Sequence, residues 1–128
     1  MTVKVDSLLT LAEEDFALAC QRTTPPRPAA YHLAQAAEKA ARAVCVHAGI
    51  EVGTTHNIGQ IGASLPVGHA LRQAIEAQNY HSPASTRYRY PDPSGRLPKE
   101  LPTDEIRRRR ADVRAFVDLV RSHVYGTS

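Results

Sequence analysis

The stretch YHLAQAAEKAARAVCVHAGI, residues 31–50, carries the clearest helical pattern in this sequence. Apolar residues recur there three or four positions apart, which is the spacing of one side of an α-helix. Together with the residue just before the stretch, that side comprises Ala30, Leu33, Ala34, Ala37, Ala41, Val44, Cys45 and Ala48. Gly49 is typical of the position after a helix because glycine adopts a positive φ at little cost. Since the side is mostly alanine, a neighbouring helix can approach closely, and we interpret the pattern as packing rather than chemistry.

A second helical pattern precedes this stretch, at residues 5–20. Its apolar side comprises Val5, Leu8, Leu9, Ala12, Phe16, Ala19 and Cys20. Asp6 or Ser7 could cap its start, because a short polar side chain accepts a hydrogen bond from the first free amides of a helix. The sequence TTPPRP, residues 23–28, cannot continue that helix, since prolines lack the amide donor and restrict the residue before them.

Further helical segments follow the central stretch. Thr54 or Thr55 could cap a short helix, and residues 67–78 form a fourth segment with an apolar inner face. A last helix begins at Thr103, a good capping residue, and ends at Gly126. Its apolar side comprises Ile106, Val113, Phe116, Val117, Val120 and Val124. These patterns predict an all-α, up-and-down bundle of four or five helices.

Length and composition narrow the class of protein. The 128 residues suffice for one domain with a modest core, so we expect a single domain over residues 1–128. No secretion leader and no apolar run of membrane-spanning length is visible, which predicts a cytoplasmic protein without membrane contact. Cys20 and Cys45 have no metal-ligand spacing and are interpreted as core residues in a reducing compartment. The net charge of +3 is too small to indicate a nucleic-acid binder by itself.

Four short elements follow one another in a recognisable order. They are AAEKAARA at residues 36–43, Gly-Ile at 49–50, Thr-His-Asn at 55–57 and Arg-Tyr-Pro at 89–91. In this order they resemble the HEPN family, whose name stands for higher eukaryote and prokaryote nucleotide-binding domains. The resemblance implies a bundle of four or five helices that is often a homodimer. Many members are metal-independent ribonucleases, including toxins paired with a nucleotidyltransferase-like protein, whereas others lack catalytic residues and bind nucleotides or partner proteins.

The sequence RAVCVH, Arg42 to His47, has the arginine-to-histidine spacing of the catalytic members. In the catalytic members of the family, both residues lie near the start of a late helix, where two protomers meet. Here both residues lie in the second helix. Five helical steps rotate by about 500°, or about 140° net, so the two side chains leave opposite flanks of the apolar side. They cannot converge within one protomer, and only a two-fold axis across this helix could bring them together.

We therefore predict that ribonuclease catalysis of the usual kind is absent. Arg42 is instead interpreted as one half of an ordinary helix-surface pair with Glu38, one turn earlier. His47 lies in the last turn, where the helix dipole favours partial positive charge. The alternative is a metal-independent ribonuclease that uses Arg42 and His47 across a dimer interface.

Two clusters of cations and rings are candidates for phosphate binding. On the last helix, a basic stripe within about 60° on the helical wheel is formed by Arg107, Arg110, Arg114 and Arg121. The stripe could be a phosphate-binding ridge, but a solvated flank or bridges to acidic residues of another helix are favoured. In the long proline-rich loop predicted at residues 79–102, cations alternate with rings at Arg87, Tyr88, Arg89 and Tyr90. These residues could stack a base and hold its phosphate, or could anchor the loop to the bundle, and both interpretations stay open.

His56 and Lys39 complete the candidate ligand contacts. His56 follows two threonines at a predicted helix start, where a phosphate could meet exposed amides, although a histidine there more often bonds its own turn. The six histidines include no pair four residues apart, so we expect no metal site, and no cofactor motif is visible. The leading hypothesis is a non-catalytic HEPN-like homodimer that binds nucleotide or RNA phosphate, or a nucleotidyltransferase-like partner protein.

Overall fold

A computed structural model describes residues 3–126 and is helical throughout, with no strand in that range. The helices are α1 (Val3–Cys20), α2 (Pro26–His47), α3 (Ile58–Ala63), α4 (Arg72–Glu76), α5 (Ala84–Arg87) and α6 (Thr103–Tyr125), with a 3-10 turn (Asn79–His81) before α5. The predicted all-α bundle is confirmed. The two residues at each end of the predicted domain lie outside the described part. None of the described helices is both long and apolar enough to cross a membrane.

Helix α2 forms the centre of the bundle. It packs along α1 and α6 and also contacts α3 and α5. Ala36, Ala40 and Ala43 are fully buried although they lie outside the predicted stripe, so a single packing stripe was too narrow a prediction. The physical reason is that small side chains let neighbours approach α2 from several directions. Ala48 was predicted to be buried but is exposed, because α2 already ends at His47.

The main core lies between the three long helices. Leu9 of α1, Leu33 and Val44 of α2, and Val113 and Val117 of α6 are among its buried members. The apolar side predicted for the last helix is therefore confirmed. Each such side chain, fully buried, contributes about 1.5–3 kcal/mol relative to an exposed one.

The starts of two helices differ from prediction. Helix α1 already includes Val3, so Asp6 and Ser7 lie inside the helix and do not cap it. Pro102 occupies the cap position of α6, and Thr103 is the first helical residue without a capping hydrogen bond. A fixed proline φ suits a helix entry, which allows α6 to start without a polar cap.

Prolines and glycines mark the boundaries of α2 and α6. The stretch at residues 23–28 interrupts the chain after α1 as predicted, but it also begins the next helix, with Pro25 at the cap and Pro26 as the first helical residue. Proline is tolerated there because the first amides of a helix have no partner within it. After α2 and α6, Gly49 and Gly126 adopt φ values of 75° and 67°, in agreement with their predicted role as helix ends.

The segment predicted as one long loop at residues 79–102 is partly helical. Its first part forms the 3-10 turn and α5, and only the part after Arg87 is irregular. That irregular part is attached to α2 by a hydrogen bond of 2.6 Å from Arg27 Nε to the Pro98 carbonyl oxygen. A separate small core lies beneath it, formed by Ala29, Ala30, Ala34, Ala84 and Ile106, with Tyr88 and Leu101 packed against it.

The two cysteines have different environments. Cys45 is buried, as predicted, and burial raises the pKa of its thiol. Cys20 is exposed, so its prediction as a core residue was wrong. It is the last residue of α1, where the neighbouring helices no longer cover the chain.

Candidate functional site

A buried carboxylate joins two of the signature elements. Glu38 in α2 is only 5% exposed. Its Oε2 accepts a hydrogen bond of 3.2 Å from Arg42 Nε and one of 3.1 Å from His56 Nδ1. The predicted pair of Glu38 and Arg42 therefore exists, but it is buried under the loop before α3 rather than lying on a helix surface. A buried carboxylate needs such partners, because an unpaired one would be costly to desolvate.

Arg42 fastens that loop to α2. Its Nη1 donates to the Gly53 carbonyl oxygen at 3.0 Å, and its Nη2 donates to the Thr55 carbonyl oxygen. Each of its three side-chain nitrogens thus already donates within the chain. His47 makes quite different contacts, since its exposed ring packs edge-on against His123 of α6, 5.6 Å between centroids. The two residues of the arginine-to-histidine spacing therefore contact different parts of the molecule.

Lys39, a predicted ligand contact, faces α1 instead. Its ammonium group pairs with Oδ2 of Asp15, a residue that is 8% exposed. His32 Nδ1 lies 2.9 Å from the other oxygen of the same carboxylate. Lys39 therefore joins α2 to α1 and stabilises a buried acid, which leaves it poorly placed to reach a ligand.

The first amides of α3 are occupied by side chains. Ile58 N donates to Ser82 Oγ at 2.9 Å, and Gly59 N donates to Asn79 Oδ1 at 2.8 Å. The next amide, of Gln60, donates to Asn57 Oδ1 at 2.9 Å. These amides are not free to meet a phosphate, which was the less favoured interpretation of His56, because polar side chains occupy them. The cap of α3 is accordingly Asn57, and neither predicted threonine takes that role.

His56 itself stands at the edge of this arrangement. Its side chain is 70% exposed, although its Nδ1 is held by Glu38. The histidine therefore bonds a neighbouring helix and not its own turn. It remains accessible to a ligand through the rest of its ring.

A groove opens where the proline-rich segment passes over α5. Its walls include Arg87, Tyr90, Pro91, Asp92, Pro98 and Lys99, and its volume is about 460 Å³; we call it the loop groove. Within residues 3–126, the side chains of Arg87 and Lys99 make no hydrogen bond or ion pair. The groove thus presents two cations that are not paired with an acid.

The four alternating residues of the loop have separate roles. Tyr88 packs inward against the small core, as the anchoring interpretation expected. Arg89 lies between two rings, with its Cζ 5.7 Å from the centroid of Tyr31 and 5.6 Å from that of Tyr90. Arg87 and Tyr90 line the loop groove, and Tyr90 is 63% exposed. Both interpretations therefore apply to different residues. Tyr88 anchors the loop to the bundle, whereas Arg87 and Tyr90 face an open groove.

Comparison with known families decides the assignment. The model of the HEPN domain matches residues 6–123 of the chain. This chain belongs to the HEPN family. Comparison with curated proteins and with solved structures finds no significant match.

The basic stripe of this HEPN chain is largely engaged with α1. Arg114 donates from both terminal nitrogens to Glu13 at 2.8 Å and also bonds Asp118. The hydrogen bond from Arg114 lowers the pKa of Glu13. Arg110 Nε donates to the Ala19 carbonyl oxygen at 3.0 Å.

The remaining two arginines of the stripe are more exposed. Arg121 lies 3.9 Å from Glu13 and over the Tyr125 ring, whereas Arg107 is exposed. Bridging to acidic residues of another helix, the favoured interpretation, describes Arg114 best. A continuous ridge of free cations does not exist along this helix of the HEPN bundle.

One buried polar cluster of the HEPN fold was not predicted from the sequence. His81 is fully buried, and its Nε2 lies 3.2 Å from Oδ2 of Asp112 in α6. Gln78 and Tyr80 donate to the same carboxylate. Burial lowers the pKa of His81 to about 4, with a smaller opposing contribution from its bond to Asp112. No local pattern could reveal this cluster, because 31 residues separate the partners along the chain.

Three histidines meet at the opposite end of the HEPN bundle. His123 of α6 contacts His47 at 5.6 Å and His69 at 5.3 Å between ring centroids. Burial lowers the pKa of His123, and the neighbouring histidines add to the shift. Among residues 3–126, no group of three histidine, cysteine or acidic side chains has a geometry that could hold a metal ion.

Proposed function

We propose that this HEPN protein binds nucleotides, or the equivalent phosphate and base of RNA, in the loop groove. The main support for this proposal is that two unpaired cations, Arg87 and Lys99, line one groove together with the exposed ring of Tyr90. Cations attract phosphate whatever the base, and an aromatic ring stacks on any base. The groove of about 460 Å³ has the size of a small-ligand site.

The charge of the groove favours an anion. Asp92 is the acidic residue of its lining, and its Oδ1 accepts hydrogen bonds from Ser94 N and Arg96 N. The side-chain bond from Ser94 lowers the pKa of Asp92, so this carboxylate stays ionised at neutral pH. The lining thus contains one negative charge, on Asp92, and two positive charges, on Arg87 and Lys99. Its net charge is +1.

Arg89 and Tyr31 brace the ring that would receive the base. A guanidinium over an aromatic face is attracted to it, and here one guanidinium contacts the rings of both Tyr31 and Tyr90. Because Tyr31 belongs to α2, this contact attaches Tyr90 and its loop to the central helix of the bundle. Less ordering of Tyr90 is then needed when a ligand binds.

A non-catalytic role is favoured over a ribonuclease. All three side-chain nitrogens of Arg42 donate to protein oxygens, so the residue would have to leave Glu38 and the loop before it could stabilise a phosphate. That movement would strip a buried carboxylate of its partner, which is costly. The homodimer and the nucleotidyltransferase-like partner remain proposals that rest on the family.

Titration with AMP by isothermal calorimetry in the presence of a chelator tests the proposal. Arg87→Ala and Lys99→Ala are each expected to weaken binding about tenfold, because each removes a charge-assisted hydrogen bond. Tyr90→Ala is expected to weaken it by a similar factor through lost stacking. Lys4→Ala is the matched control, since it removes one positive charge at the start of α1, outside the groove. Unchanged affinity in both charge variants would reject the groove as the site.

A further inference from the structure

A second groove adjoins the first one. It has a volume of about 430 Å³ and lies between the loop before α3 and the start of α5. Polar side chains in its walls are His56, Asn57, Asn79, Ser82, Ser85 and Thr86; we call it the His56 groove. Thr86 also lines the loop groove, so the two grooves meet at this residue.

Two asparagines supply fixed hydrogen-bond donors to the His56 groove. Oδ1 of Asn57 accepts from the Gln60 amide, and Oδ1 of Asn79 accepts from the Gly59 amide. A backbone amide is only a donor, so each side chain must present its oxygen there. Both Nδ2 groups therefore point away from these bonds, and neither has a hydrogen-bond partner within residues 3–126.

Gly59 makes the position of Asn79 possible. A Cβ at residue 59 would lie 3.0 Å from Asn79 Cγ and 3.1 Å from its Oδ1. Such contacts would push the asparagine away from the amide that orients it. The glycine and the asparagine thus form one local arrangement that holds a free amide group at the groove.

His56 is oriented in a comparable way. Because a carboxylate only accepts hydrogen bonds, the contact with Glu38 places a proton on Nδ1 of His56. This leaves Nε2 as the free ring nitrogen, on a side chain that lines the groove and is 70% exposed. The two asparagine amides are donors suited to an acceptor-rich group such as phosphate, and Nε2 of His56 joins them as a donor when the ring carries both protons.

We propose that the His56 groove binds a second phosphate group of the same ligand, so that the protein recognises ligands with two phosphate groups. This inference rests on the proposed function, since the first phosphate and its base occupy the loop groove. Because Thr86 lines both grooves, they are neighbours on the surface, and we expect one ligand to span them. The two phosphates can be adjacent, as in a nucleoside diphosphate, or separated by a nucleoside, as in a short RNA strand.

The test compares AMP, ADP and the dinucleotide pApA by calorimetry at neutral pH in a chelator. At least one two-phosphate probe is expected to bind about tenfold more tightly than AMP, the effect of one or two added charge-assisted hydrogen bonds. A gain with ADP indicates adjacent phosphates, and a gain with pApA alone indicates separated ones. Equal affinity for all three probes would overturn the inference.

Asn79→Asp is the decisive variant. It keeps the oxygen that the Gly59 amide and Ser82 Oγ need, but replaces the free donor by a negative charge. The ratio of the affinity for the two-phosphate probe to that for AMP is expected to fall to about one in this variant. Gln73→Glu, an identical chemical change on the exposed side of α4, is the control and should keep the gain.

The two proposals fail in different ways. The tighter binding of a two-phosphate probe relative to AMP depends only on the His56 groove. If Asn79→Asp still binds such a probe more tightly than AMP, the second phosphate site is contradicted. Unchanged AMP binding in both Arg87→Ala and Lys99→Ala contradicts the loop groove instead. Circular dichroism of each variant checks that the helical fold is intact.

Discussion

Acidification is expected to destabilise the protein through the buried His81. In the folded chain its imidazole is fully buried, and burial lowers its pKa to about 4 from an ordinary value of 6.5. Asp112 and Glu105 oppose this shift, whereas Arg109 adds to it. Because the folded pKa is the lower one, the unfolded chain takes up the proton first. Stability is therefore complete above about pH 6.5 and is lost as the pH falls towards 4.

The size of the effect follows from these two pKa values. Between pH 7 and pH 5, proton uptake by the unfolded state costs about 2 kcal/mol of folding free energy. Below pH 4 the cost levels off at about 3 kcal/mol. A loss of this size is a large fraction of the stability of a small domain.

Urea denaturation followed by far-UV circular dichroism at pH 7 and pH 5 measures the loss. The comparison is with His81→Gln, whose amide can still donate to Asp112 but takes up no proton. Other titrating groups, such as Glu13 and His123, contribute equally to both proteins and cancel in the difference. The wild type should lose about 2 kcal/mol more than the variant. Equal losses would refute the reasoning, and so would an NMR titration that gives His81 a pKa near 6.5.

Further predictions concern the packing of α2 and the absence of ribonuclease chemistry. Glu38→Gln should lower the free energy of unfolding by about 1–3 kcal/mol, because Arg42 and His56 lose their charged partner. The exposed Glu14→Gln should leave it unchanged, and equal thermal shifts in the two variants would contradict a stabilising role of the buried carboxylate. Ala37→Leu should cost about 1–3 kcal/mol by overpacking the core, in contrast to the exposed Ala17→Leu, and equal denaturation midpoints would contradict the close packing. RNA incubated with the protein in chelator should stay intact, and cleavage that disappears in His47→Ala would restore the ribonuclease hypothesis.

The helices were predictable where a single periodic pattern dominates. The valine-rich side of α6 and the alanine-rich side of α2 both point to buried faces, and these are observed. What periodicity could not show is that α2 is covered from several directions. That depends on where the loop before α3 returns, and this loop is placed by Glu38 and Arg42 through contacts distant in sequence.

The candidate site was predictable only in part. The alternation of cations and rings marked the right loop, but the inward turn of Tyr88 and the outward one of Arg87 depend on the underlying small core. Lys99 was not predicted as a ligand contact, since nothing near it in sequence shows that it lines the same groove as Arg87. The reason is general: ring alternation is a local signal, whereas a groove is formed by segments that meet only after folding.

The most direct test of the account is an NMR titration of isotope-labelled protein with AMP. Binding in the loop groove predicts saturable chemical-shift changes concentrated at residues 86–99, with smaller changes at Tyr31, and their loss in Arg87→Ala but not in Lys4→Ala. Saturable changes centred elsewhere, for instance on the pocket lined by Leu8 and Val46, would contradict it, and so would the absence of any saturable change.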